Sequence, residues 1–267
     1  MNEYKDDLPK YRNPPVVEVA LGVFFEDIKS MKLPHSGVFW QKIRKEFPRV
    51  THADPLGILE DDITKLPLPR VWFINEHETN LIQYQTNCFF FNWRKIPFAE
   101  KYPRYSTVKK AFERYHNLFI EFLHENNMGK ISYKQCELTY VNHIPKDNIW
   151  NSPADINQIM RDIIWTKNEN RFLPEPKSIQ WFSIFSLPDD FGELKISLKH
   201  GKRISDDYPL FILEISAKGL GGDRTPERIS EWFDLAHEWI VNAFADITSD
   251  DMQKKCWLRQ SKTKRRK

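Results

Sequence analysis

Glycine is scarce in this chain, nine residues in 267, and that scarcity removes several kinds of chemistry at once. There is no Gly-x-x-x-x-Gly-Lys-Ser/Thr loop to cradle phosphates and no Gly-x-Gly-x-x-Gly turn to receive a dinucleotide. No Gly-x-Ser-x-Gly elbow presents a nucleophilic serine. The one glycine cluster, Gly219-Leu220-Gly221-Gly222-Asp223, reads as a strand-to-helix connection. Cysteine is equally sparse. Cys88, Cys136 and Cys256 are odd in number and far apart, which fits a reducing cytoplasm better than a disulfide scaffold. No Cys-x-x-Cys spacing suggests structural zinc, and no cofactor or metal is expected. Long apolar runs are missing too. Nothing approaches the roughly 18 apolar residues of a membrane span, and the polar, acidic start Met1–Asp7 has no signal-type apolar stretch.

Aromatic residues are what the chain has in excess. They make up 14%, including 19 Phe and nine Trp, a load that no disordered chain carries. Charge is unevenly spread. Residues 254–267 hold eight positive charges and no carboxylate, so against an overall +3 the rest of the chain stands at −5. The folded body is mildly acidic and the basicity belongs to the C-terminal end. There Lys262, Lys264, Arg265, Arg266 and Lys267 are candidate nucleic-acid contacts.

Periodicity predicts the elements. Val16–Phe25 is rich in β-branched and aromatic residues and reads as a strand. Residues 36–48 suit a helix stopped by Pro48, residues 49–69 a loop. Strands are predicted at 71–74 and 81–91, the latter with Ile82, Tyr84, Cys88 and Phe90 on one face. A helix over 107–125 carries a broad apolar stripe. After Gly129 come a long strand at 131–144 and a helix opened by Ser152 and Pro153, with an Ile156, Ile159, Met160, Ile163, Ile164 stripe. Strands at 179–185, 194–199 and 210–217 precede a final helix over 227–244. The order β-α-β-β-α then β-α-β-β-β-α looks like one unit used twice. The expected fold is therefore α+β: two tandem repeats forming a mainly antiparallel curved sheet with long helices on one face. The expected boundaries are an extended arm over 1–14, repeats over 15–128 and 129–250, and a basic tail over 251–267.

Few residues stand out as chemistry. Asn92-Trp93-Arg94 ends an apolar strand and precedes Pro97; Trp and Arg there can stack on a base or a partner's side chain. Asn142-His143 raises the same prospect at the end of the second long strand. Glu18, Glu137 and Glu214 interrupt apolar strands, and alternation puts the first two on the polar face. Glu18, Glu137 and His143 are the candidates for an acid–base site between the repeats.

Arg12-Asn13-Pro14-Pro15-Val16-Val17-Glu18, Asn92-Trp93-Arg94, Leu138–Ile144, Met252 and Trp257 together resemble an uncharacterised, sporadically distributed bacterial family. The likeness runs over about residues 11–260. It implies a prokaryotic cytoplasmic protein, and the patchy distribution is typical of mobile, defence or toxin–antitoxin loci. It supplies no catalytic residues. The leading expectation is a non-enzymatic binding or regulatory protein that recognises a partner protein through a sheet edge or an inter-repeat groove. Arg12, Asn92, Trp93, Arg94, Asn142 and His143 are the candidate binding residues. A nucleic-acid-binding protein using the basic tail, and a hydrolase or ligand-binding enzyme with a site between the repeats, are the alternatives.

Overall fold

A computed structural model describes residues 8–54, 69–96, 101–146, 149–166, 168 and 170–260. The fold is α+β. Nine strands run in the hydrogen-bonded order β2-β3-β4-β5-β1-β6-β9-β8-β7. They are β1 (Val16–Phe25), β2 (Arg49–Ala53), β3 (Arg70–Ile74), β4 (Asn80–Gln85), β5 (Cys88–Arg94), β6 (Tyr133–Pro145), β7 (Gln180–Ser186), β8 (Glu193–Lys202) and β9 (Pro209–Gly219). The helices are α1 (Leu33–Ile43), α2 (Tyr105–Glu125) and α3 (Pro226–Ile247). No helix among the described residues is long and apolar enough to cross a membrane. The chain divides into two compact units built from interleaved segments. The first comprises Glu18–Thr139 with Lys218–Phe233. The second comprises the chain before Glu18, Tyr140–Ala217 and the chain from Asp234 onward.

In the first unit, β1 aligns antiparallel with β5, so that Val19 faces Trp93, Leu21 faces Phe91 and Val23 faces Phe89. These side chains form one fully buried face, covered by the apolar stripe of α2, Val108, Phe112, Tyr115, Phe119 and Phe122. α1 closes the same core with Phe39, whose ring meets Phe73, Tyr84, Phe89, Phe119 and Phe122 at 5.4–6.5 Å. Such edge-on aromatic pairs add about 0.5–1.5 kcal/mol each beyond the area they bury. On the other face Phe90 lies across Gly22, where an added Cβ would fall 2.1 Å from the ring; only glycine fits under it.

In the second unit, β8 alternates with Leu194, Ile196 and Leu198 buried, and β7 pairs with it from Gln180↔Lys199 to Ser186↔Glu193. Trp150, Phe211 and His200 form a ring cluster at 4.8–5.6 Å. The segment after α3 is folded through Gln260. Met252–Cys256 makes a π-helical turn, Trp257 is buried, and the backbone amides of Arg12 and Asn13 donate to the carbonyls of Leu258 and Trp257.

Several elements differ from the sequence pattern, for physical reasons. The stretch 81–91 is two strands, not one. Thr86 and Asn87 form a two-residue turn, with Gln85 facing Cys88. That turn moves Cys88 and Phe90 to the face opposite Ile82 and Tyr84. All of Leu81–Gln85 and Cys88–Trp93 are buried, so no alternation marked the turn. Residues 49–53 form β2 rather than loop. The predicted helix after Ser152 stops as a short 3-10 turn, Pro153–Gln158. Met160 instead makes a bridge with Thr248, and the Arg161 amide donates to the Ile247 carbonyl. That pulls the chain away from a helical path and leaves Ile164 exposed.

Candidate functional site

The candidate residues separate by strand register. In the first unit, Asn92 and Arg94 sit on one face of β5 and Trp93 on the other. Asn92 is buried in a polar chain: Arg70 donates to Gln83 Oε1 (3.1 Å), Gln83 to Asn92 Oδ1 (2.7 Å), and Asn92 to Glu18 Oε1 (2.6 Å). Arg94 faces Glu18 across the ladder and donates to the Glu78 carbonyl. Trp93 is only 6% exposed and packs against Tyr102 at 5.2 Å, so little of its ring is open for stacking. Glu137 is held by Lys218 (2.8 Å) and by the Thr139 hydroxyl (3.1 Å).

In the second unit, Arg12 is exposed. Asn142 is buried and donates to the Leu213 carbonyl at 3.1 Å, while its Oδ1 has no hydrogen-bond partner. His143 is half-buried on the opposite side of β6. Burial, then the Arg203 charge, lowers its pKa. Residues 262–267, with the five basic candidates of the tail, lie outside the described residues. Of the other basic residues there, Lys254 and Lys255 pair with Asp250 and Asp251, and Arg259 bonds Gln253. Among the described residues no three His, Cys, Asp or Glu side chains converge as a metal site.

Comparison with protein-family models, with curated proteins and with solved structures finds no match.

Two features of the geometry remain. The first is a pocket of about 720 Å³ in the first unit, within the range of small-molecule sites. Its apolar wall is Phe91, Trp93, Val108, Ala111 and Tyr115, with Asn80, Lys101, Thr107 and Arg114 among the polar groups. Phe91 and Tyr115 stack at 5.6 Å with 13° between their planes. Arg114 is already engaged. It grips both oxygens of Glu46 at 2.7 and 2.9 Å, and Tyr115 donates to the same carboxylate at 2.7 Å. Burial pushes the Glu46 carboxyl up, but these hydrogen bonds outweigh it and hold it below its ordinary value. Sequence reasoning missed the pocket. Tyr115 was legible only as part of an apolar helix face, and nothing marked Lys101.

The second feature is β7. It ends the strand order and carries Gln-Trp-Phe-Ser-Ile-Phe-Ser with no charge and no proline. Phe182, Ile184 and Phe185 are 59%, 49% and 44% exposed. By register Phe182 and Ile184 share a face with Lys199 and Lys195 of β8. Lys195 reaches Glu193 only at 3.9 Å.

Proposed function

We propose that this chain is a binding protein rather than a catalyst, and that its partner is another protein taken up as an added strand along β7. One observation carries the reading: a terminal strand of seven residues with large exposed apolar side chains and, among the described residues, none of the usual guards. Edge strands are normally blunted by lysine, proline, a bulge or a cover, because their free amides and carbonyls invite pairing. β7 has the opposite composition. Strand addition draws affinity from main-chain hydrogen bonds and specificity from alternate side chains. The partner segment is therefore extended, apolar opposite Phe182 and Ile184, and acidic where it reaches towards Lys199 and Lys195. The exposed parts of Phe182, Ile184 and Phe185 amount to about 300 Å² if aromatic and large aliphatic side chains present roughly 200 Å² each. A standard interface uses about 800 Å² per partner, so the partner also contacts ground beyond these three side chains.

The duplication read from the sequence belongs to this proposal. On that reading β1 with α2 and β6 with α3 are corresponding parts of two diverged copies. The family resemblance supports a cytoplasmic role in a bacterial accessory locus of defence or toxin–antitoxin type.

The test is capture of a partner by the wild-type chain and by Phe182→Lys/Ile184→Lys, followed by hydrogen exchange of the complex. The proposal expects capture to be lost in the double variant and the β7 amides to gain protection in the wild-type complex. Equal capture by both chains sinks it. So does concentration-dependent dimerisation as the sole β7-dependent association, which would mean that the edge pairs with itself.

A further inference from the structure

The pocket beside α2 asks for a ligand of definite chemistry, and its requirements are independent of β7. We infer that it binds a small aromatic monocarboxylate.

The flat part of that ligand follows from the walls. The Phe91 and Tyr115 rings lie nearly parallel, and the Trp93 indole stands beside them on the neighbouring strand position of the same face. Val108 and Ala111 of α2 complete an apolar slot. The Trp93 side chain is 6% exposed.

The anionic part follows from the charges. No described lining residue is an aspartate or glutamate, whereas Lys101 and Arg114 both line the space. α2 presents its first turn here through Thr107 and has no acidic residue in that turn, and the positive end of its dipole favours an anion there. The count of charges fixes the valence. Glu46 already neutralises Arg114 through two hydrogen bonds. Lys101 forms no ion pair among the described residues. One uncompensated ammonium matches one carboxylate; a phosphate dianion would bring a surplus charge into a slot walled by aromatic rings.

The experiment is calorimetric titration at pH 7.5 with 2-naphthoate and with its uncharged isostere 2-naphthamide. Naphthoate is expected to bind at least tenfold more tightly than the amide. Lys101→Gln, at an exposed position, should bring the two within about twofold. Ala111→Trp, which fills the slot, should remove binding of both while circular dichroism stays native. The inference is overturned if wild-type protein binds neither compound at millimolar concentration, or binds both equally. It is overturned as well if the charge preference survives Lys101→Gln. Should Ala111→Trp fail to fold, the Lys101→Gln comparison decides alone.

Discussion

His116 is a base held without its proton. It lies on α2 between Phe112, stacked on it at 5.3 Å, and Phe89 at 5.5 Å, with the Tyr133 hydroxyl 3.4 Å from Nε2. Complete burial pushes its pKa down to about 4 from an ordinary 6.5. Between those values the unfolded chain carries a proton that the native chain refuses. Stability therefore falls as pH drops from 6.5 towards 4, and this contribution levels off below that. His116→Phe should flatten the dependence between pH 6.5 and 5 by up to about 1.4 kcal/mol per pH unit, the value for one proton. Urea unfolding at pH 7, 6 and 5 reads it. His143 and His200, whose pKa values burial also lowers, keep their own share in both proteins. At this scale the sequence was legible in part. The apolar stripe read over 107–125 is the surface in which His116 lies. Trp93 was read as a stacking residue at a strand end, yet Tyr102, from a stretch with no periodic signal, packs against it.

Helix α1 is eleven residues long with only Phe39 and Ile43 buried. A helix this short is marginal alone, and its place on the core depends on the one ring that meets five others. Phe39→Ala should lower the unfolding free energy by about 3–5 kcal/mol, measured by denaturant titration, with α1 losing hydrogen-exchange protection before α2. Elements with a strong period were visible in advance: β1, α2, β6, β8, β9 and α3 all stand within a few residues of their expected limits. The β4–β5 hairpin was not, because both strands are buried on both faces and Thr86-Asn87 carries no glycine. The helix expected after Ser152 failed for a different reason. Its capping box is present, with Ser152 and Asp155 exchanging bonds, but backbone pairing with Thr248 and Ile247 competes for the next turn. Caps are local signals; that competitor lies almost 90 positions away.

For the molecule as a whole, the C-terminal stretch mixes two roles that composition could not separate. Its charge reads as a basic tail, yet Gln253 is fully buried and donates to the carbonyls of Ala245 and Thr248 at 2.7 and 2.9 Å. Its Oε1 accepts from Tyr11 at 3.1 Å and from Arg259 at 2.7 Å. Trp257 and Phe244 close around Tyr11 at 6.4 and 5.4 Å. Truncation after Gln260 should leave the melting temperature within about 1 °C of the full chain, since it keeps every contact described for this stretch. Truncation after Asp251 should lower it by more than about 5 °C through loss of the buried Met252, Gln253 and Trp257. Differential scanning calorimetry of the two truncations separates the roles.

The union of Tyr11 with Arg259 by a strand bridge has a consequence in time. Of the two units, one draws most of its residues from the continuous run Glu18–Thr139, whereas the other needs segments from both extremities of the described chain. On the ribosome, Tyr11 emerges early and finds no seat until Gln253 and Trp257 have been translated. Tyr11, made ahead of β1, is thus sealed only after β1 has been given its β5 partner, and its ring stays open to chaperones while the residues between are translated.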